Sequence, residues 1–124
     1  MGKLILRDFN EYKMFLLSED AGISHMLLSK DGYKYREKAF MDVLRQSVKP
    51  GDICMDVGAN IGFVTLLLAK LVGAAGKVYA VEPSESNFEV LNKNIDINFF
   101  WIIIQIKRLH HSTLCNCTST FRST

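Results

Sequence analysis

The chain has 124 residues, the size of one domain, and 48% of them are hydrophobic, as in an ordinary globular protein. Its formal net charge of +2 is too small to predict a nucleic acid partner or binding to a membrane surface. The sequence contains neither a signal-peptide pattern nor an apolar run of about 18 residues, so we expect a soluble, cytoplasmic protein with no membrane partner.

Residues 1–34 are predicted to form an N-terminal extension with a hairpin. Residues 1–10 show no clear period and leave a helix, a strand and a frayed end open. Residues 12–17 and 23–28 are both β-like, and the turn-forming residues 18–22 join them. We therefore expect these two segments to pair as a hairpin, followed by a second turn at Asp31-Gly32.

A second region, residues 35–98, is predicted to be the core of the domain, and it begins with an amphipathic helix over residues 35–48. Phe40, Val43, Leu44 and Val48 fall on one face of this helix at a spacing of three to four. Pro50 is expected to end the helix, because proline has no amide hydrogen to donate.

The strongest pattern follows Pro50. The apolar run of residues 53–57 is interrupted only by Asp56 and predicts a strand buried on both faces of a parallel sheet. The segment Gly58-Ala59-Asn60-Ile61-Gly62 comes next, and the apolar residues 63–72 are numerous enough for a helix. A strand, a glycine-rich turn and a helix in this order are typical of the start of a nucleotide-binding α/β domain.

A second strand is predicted over residues 77–82, parallel and adjacent to the first. It ends in Glu82, 26 positions after Asp56, where an acid can accept hydrogen bonds from both hydroxyls of a ribose. The loop matches neither the dinucleotide motif nor the Walker motif, because Asn60 occupies the middle glycine position and no Gly-Lys-Ser/Thr follows. The pattern that does match is Asp-x-Gly-x-x-x-Gly followed by a strand with a terminal acid.

Residues 84–124 are predicted to contain a second helix and a divergent tail. Ser86-Asn87-Phe88-Glu89 is a capping-box pattern that predicts the start of this helix. The tail, residues 99–124, opens with an apolar run compatible with a third strand at 99–106 and then loses all pattern. This loss suggests a truncated or out-of-frame product of a longer gene.

No metal site is predicted. Cys115 and Cys117 lie close to His110 and His111, but Cys-x-Cys is not the usual zinc spacing and the two histidines are adjacent. Cys54 is interpreted as a small core residue of the first strand.

Four segments of the chain together resemble the FkbM-type methyltransferases, a family of S-adenosylmethionine-dependent enzymes. They are Val-Lys-Pro-Gly-Asp at 48–52, Asp-Val-Gly-Ala-Asn-Ile-Gly at 56–62, Gly-Lys-Val-Tyr-Ala-Val-Glu-Pro at 76–83 and Leu-Asn-Lys-Asn-Ile at 91–95. The resemblance extends over roughly residues 20–98. It implies an α/β fold: a partial Rossmann-like (class I methyltransferase) parallel sheet with an N-terminal hairpin and helix.

The resemblance also implies the cofactor, S-adenosyl-L-methionine, and residues that bind it. These are Asp56, Gly58, Ala59, Asn60, Gly62, Glu82 and Pro83. The methionine end of the cofactor is expected near the loop and near Asp56. Asn60 could only cap the helix, or cap it and still line the pocket. Thr65 could touch the ligand, but it is expected to bond back to a helix carbonyl.

The implied activity is methyl transfer to an oxygen of a small molecule or sugar. No catalytic residue is assigned, since many such enzymes act by holding the nucleophile and the methyl group in line. Two alternatives stay open: a truncated, non-catalytic nucleoside-binding fragment without turnover, and a non-functional truncation. Self-association through an exposed sheet edge is expected as a further partner interaction.

Overall fold

The computed structural model describes residues 2–20, 22–29 and 38–107. The second predicted turn at Asp31-Gly32, the first residues of the predicted helix over 35–48 and the cysteine and histidine residues after position 107 lie outside these ranges. In chain order the elements are β1 (Leu4–Asp8), β2 (Lys13–Leu17), α1 (Ile23–Leu28), α2 (Lys38–Ser47), β3 (Ile53–Val57), α3 (Phe63–Val72), β4 (Lys77–Val81), α4 (Glu85–Asn98) and β5 (Ile103–Ile106).

The N-terminal hairpin exists, and its predicted strand over residues 12–17 forms as β2, but the partner strand is not the predicted one. β1 pairs antiparallel with β2, with Leu4 opposite Leu17. The segment expected to be the second strand is instead the helix α1. The prediction was wrong because a short apolar run fits a helix as well as a strand. Here the Asp20 carboxylate accepts hydrogen bonds from the backbone N–H groups of Gly22 and Ser24, both at 3.0 Å, and so favours a helical start.

The second sheet confirms the predicted parallel pairing. Its order is β3-β4-β5, with Ile53 beside Lys77 and Val78 beside Ile103. The third strand, suggested by the apolar run of residues 99–106, forms over Ile103–Ile106. Each connection carries a helix, as parallel strands require, so this part of the chain has the predicted α/β class.

One face of this sheet is covered by helices, and the other is exposed. Val78 and Ala80 are fully buried on the covered face, which packs against α3. On the opposite face Ile53, Met55 and Val57 are 63–73% exposed. The prediction that β3 is buried on both faces was therefore wrong, because the described residues supply a covering layer on one side only.

Helix α2 also differs from its predicted face. Met41 is fully buried, with Leu44 and Val48 packed partly against the core, whereas Phe40 and Val43 are about half exposed at 47% and 56%. The buried positions follow a spacing of three and then four, with Met41 leading the stripe. Sequence spacing alone grouped Phe40 and Val43 with Leu44 because all three are apolar.

Two asparagines of α4 bond to the backbone of β2. Asn94 Oδ1 accepts the Phe15 N–H at 2.6 Å, and its Nδ2 donates to the Phe15 carbonyl at 3.2 Å. Asn98 makes the same pair of bonds with Lys13, at 2.8 and 2.6 Å. The spacings match, because four helical residues rise about 6 Å and two strand residues about 6.6 Å. These bonds hold the N-terminal hairpin against α4.

Of the helices in the described ranges, none is long and apolar enough to cross a membrane.

Candidate functional site

The glycine-rich loop bends over the carboxyl end of β4. The N–H groups of Gly58 and Ala59 both donate to the Val81 carbonyl, at 2.9 and 3.0 Å. The residues that follow β3 and those that end β4 are thereby brought to one edge of the sheet. This is the edge where open α/β sheets bind their ligands.

The two glycines of the loop have different surroundings. Both have left-handed backbones, with φ of +81° at Gly58 and +103° at Gly62. A Cβ added at Gly58 would meet nothing within 4 Å, whereas one at Gly62 would lie 2.8 Å from Leu91 Cδ1. Both were predicted to open the loop to a ligand. The geometry favours that role for Gly58 and a packing role against α4 for Gly62.

Asn60 connects the loop to Glu82 and does not cap the helix. Its φ is +53°, a conformation that asparagine tolerates better than most residues. Its backbone N–H donates to Glu82 Oε2 at 2.8 Å. The N-cap of α3 is Gly62, and it makes no side-chain capping bond, so the alternative of an Asn60 cap is excluded.

Glu82 is almost completely buried, at 6% exposure, immediately after β4. Oε2 accepts the Asn60 N–H, and Oε1 accepts the Ser84 N–H at 2.8 Å. A carboxylate has about four acceptor sites, so these two bonds leave capacity for further donors. The contacts with Asn60 and Ser84 fix the orientation of the carboxylate between the loop and the start of α4.

The start of α4 lies earlier than predicted. The helix begins at Glu85 with Ser84 as its N-cap, two positions before the Ser86-to-Glu89 capping-box pattern. The Ser84 side chain makes no capping bond, and its hydroxyl lies 3.2 Å from that of Ser86. The capping-box prediction was therefore wrong, since the helix begins two residues before the position that this pattern indicates. Pro83 itself is exposed beside the site.

Asp56 lies half-buried near the end of β3 and bonds to α3. Its Oδ2 accepts a hydrogen bond from the Thr65 hydroxyl at 2.6 Å, so the expectation that Thr65 bonds back to a helix carbonyl was wrong. Burial raises the pKa of Asp56, the Thr65 bond opposes that rise, and the negative charge of Glu82 adds to it. The ionisation of Asp56 therefore depends on its burial, on the Thr65 hydroxyl and on the charge of Glu82.

Asn94 is part of the site's support, and it was not among the residues predicted from the sequence. Its side chain is fully buried, and Nδ2 donates to the Ile61 carbonyl of the loop at 2.7 Å. With its two bonds to Phe15, it joins the loop, α4 and the N-terminal hairpin. The available signal was a polar residue three positions after Leu91, on the apolar stripe of the helix.

The structure thus brings most of the predicted cofactor-binding residues together at one sheet edge. Ala59 is buried in the loop at 4% exposure, and Gly62 lies on its packing side. Within residues 2–20, 22–29 and 38–107, no group of three or more histidine, cysteine, aspartate or glutamate side chains is arranged to hold a metal ion. The predicted absence of a metal site at Cys115 and Cys117 concerns residues outside these ranges.

Comparison with known proteins gives sequence relatives of one class. No family model matches the chain. The chain is 38% identical over 82 residues to 31-O-demethyl-FK506 methyltransferase FkbM of Streptomyces tacrolimicus. This match covers 63% of the chain and 31% of the relative. It is 34% identical over 58 residues to protein-L-isoaspartate O-methyltransferase of Aeropyrum pernix, and this match covers 47% of the chain and 22% of that relative. The chain thus spans about a third or less of these relatives.

Solved structures agree with the sequence relatives. The crystal structure of a SAM-dependent methyltransferase from Aquifex aeolicus is similar to this chain, with a TM-score of 0.51 and 29% sequence identity. The similarity covers 55% of this chain and 37% of the Aquifex aeolicus chain. Sequence relatives and structural neighbours together indicate the class of S-adenosylmethionine-dependent methyltransferases with a Rossmann-like α/β fold.

Proposed function

We propose that the chain binds S-adenosyl-L-methionine and forms the cofactor-binding part of an FkbM-type methyltransferase that acts on an oxygen of a small molecule or sugar. The observation that carries this proposal is the pair of acids, Asp56 and Glu82, at the carboxyl end of adjacent parallel strands. Glu82 bonds to the loop at Asn60, Asp56 bonds to Thr65 in the helix after the loop, and the loop is open at Gly58. The chemistry of these groups matches the polar parts of the cofactor.

The nucleoside part of the cofactor fits the surroundings of Glu82. A ribose offers two hydroxyl donors, and the Glu82 carboxylate keeps free acceptor sites after its bonds to Asn60 and Ser84. Those two bonds also hold the carboxylate in one orientation before a ligand arrives, which lowers the entropic cost of binding. We assign Glu82 to the ribose on this basis, with Pro83 beside the nucleoside.

The amino acid part of the cofactor fits the other side of the loop. Its carboxylate is suited to the amino end of α3, where backbone N–H groups and the helix dipole favour a negative charge, and no side chain caps that end. Its ammonium group is suited to Asp56. The open space at Gly58 allows the backbone to approach the ligand closely.

The bound cofactor supplies an electrophilic methyl group on a positively charged sulfur. The residues of this chain hold the cofactor in place, so that an acceptor oxygen can attack the methyl carbon in line. We assign no general base among the described residues. The oxygen acceptor is proposed from the partial similarity to the relative named 31-O-demethyl-FK506 methyltransferase, over residues that include the loop motif quoted above.

Thermal unfolding with S-adenosylhomocysteine, the demethylated product, tests the proposal. A ligand that binds only the folded state at about 100 times its Kd adds about 2.7 kcal/mol to the free energy of unfolding, so the melting temperature should rise. Adenosine serves as the matched control, because it keeps the ribose and lacks the amino acid. Adenosine should raise the melting temperature by less than S-adenosylhomocysteine does. A melt that stays unchanged at millimolar S-adenosylhomocysteine would exclude the proposed cofactor.

A further inference from the structure

Thr65 occupies a position where its hydroxyl has a choice of partners. It is the third residue of α3 and is fully buried. A threonine in a helix usually bonds back to a carbonyl of the preceding turn. Here the hydroxyl donates to Asp56 Oδ2 at 2.6 Å, a short bond to a carboxylate on the neighbouring strand β3.

Asp56 depends on this bond, because the rest of its surroundings disfavour the charged form. Partial burial removes water from the carboxyl group, and the carboxylate of Glu82, at the end of β4, has the same sign of charge. Both raise the pKa of Asp56. Among the described residues, Thr65 is the group that lowers this pKa by a hydrogen bond.

We propose that Thr65 is a positioning residue that holds Asp56 by Oδ2, favours its ionised form and turns Oδ1 toward the ammonium group of the cofactor. The inference rests on the proposed function, because it takes Asp56 as the partner of that ammonium. Since Thr65 occupies Oδ2, the other carboxylate oxygen stays available for a ligand. Thr65 thus acts on the ligand through Asp56 and does not touch it.

The test compares Thr65→Val, which keeps the shape and removes the hydroxyl, with Thr65→Ser, which keeps the hydroxyl. Binding of S-adenosylhomocysteine to the full chain is measured by calorimetry at several pH values. We expect Thr65→Ser to bind like the original chain. At the acid end of the pH series, Thr65→Val should bind about tenfold more weakly, because it loses the charge-assisted hydrogen bond between Asp56 and the ligand ammonium. The difference in affinity should narrow as the pH rises.

The sign of this pH dependence follows from the bond. Without the hydroxyl the pKa of Asp56 rises further, so a larger fraction of the carboxyl is protonated at a given acid pH. At higher pH the carboxyl is ionised in both proteins, and the difference due to protonation disappears. In an Asp56→Asn background, Thr65→Val should cause no pH-dependent change, because the titrating group is gone.

The pKa of Asp56 itself gives a second measurement, by carbon NMR of the side-chain carboxyl group without ligand. It should be higher in Thr65→Val than in the original chain, and Thr65→Ala replaces Thr65→Val if that variant does not fold. An equal pKa, or equal affinities at every pH, would overturn the inference. Failure of the original chain to bind S-adenosylhomocysteine would instead remove the proposed function, and the NMR titration would still decide whether Thr65 controls Asp56.

Discussion

The Nδ2 atom of Asn94 donates a hydrogen bond to the Ile61 carbonyl at 2.7 Å, so a buried side chain of α4 holds the glycine-rich loop. The same amide pairs with both backbone groups of Phe15 in the N-terminal hairpin. Asn94 therefore connects the hairpin, although distant in sequence, to the candidate site.

Asn94→Leu should destabilise the chain strongly. It removes the partners of three backbone groups, and a buried polar group left without a partner costs about 1–3 kcal/mol. We expect the free energy of unfolding in urea to fall by at least about 2 kcal/mol. Asn98→Leu is the matched control, because its bonds to Lys13 are exposed and water can replace them. Equal losses in the two variants would show that burial of the Asn94 bonds does not matter.

Glu82→Ala should weaken both folding and nucleoside binding. It leaves the N–H groups of Asn60 and Ser84 without their acceptor and removes the proposed partner of the ribose. We expect binding of S-adenosylhomocysteine to weaken by about 10- to 100-fold in calorimetry, together with a lower free energy of unfolding. Glu89→Ala is the control, because it removes an equal charge from an exposed position of α4. It should change neither the affinity for S-adenosylhomocysteine nor the free energy of unfolding. Unchanged affinity in Glu82→Ala would take Glu82 out of the site.

The two loop glycines should respond differently to alanine. Both substitutions place a Cβ on a left-handed backbone, at a cost of about 1–2 kcal/mol. Gly62→Ala additionally forces the new atom against Leu91, so its melting temperature should be the lower of the two. Gly58→Ala should instead lose affinity for S-adenosylhomocysteine more than stability. Adding Leu91→Val to Gly62→Ala should recover part of the lost stability, and the absence of any recovery would argue against the contact.

Asp56→Asn should raise stability at neutral pH while weakening ligand binding. The pKa of Asp56 is raised in the folded chain by burial and by Glu82, so folding favours its protonated form. This group's contribution to stability is present below the pKa of the unfolded chain and is lost as the pH rises through the folded pKa. The free energy of unfolding of Asp56→Asn should therefore exceed that of the original chain by an amount that grows with pH. Urea unfolding at a series of pH values measures it, and a constant difference would contradict the raised pKa.

The exposed face of the parallel sheet should promote self-association. Ile53, Met55 and Val57 present an apolar surface there, and the outer edge of β3 has no strand beside it among the described residues. Light scattering should show an apparent mass that rises with concentration, and Met55→Lys should reduce that rise. Val43→Lys, at an exposed position of α2, is the control and should have no comparable effect. A monodisperse monomer at high concentration would count against the prediction.

Much of the central unit was predictable because its signals are local. The apolar runs at residues 53–57 and 77–81, the glycines between them and the acid that ends the second run are all properties of short segments. Parallel pairing follows from the helix between the strands, and the structure confirms it. The position of Glu82 at the carboxyl edge of the sheet follows from the same order of elements.

Other features depended on contacts between residues that are far apart in sequence. Periodicity did not distinguish a helix from a strand at Ile23–Leu28, and it chose the wrong apolar residues on α2, because burial depends on which neighbour an element meets. The bonds from Thr65 to Asp56 and from Asn94 to Ile61 and Phe15 could not be predicted for the same reason. Each satisfies a polar group that burial has removed from water, and only the folded chain determines which groups are buried together.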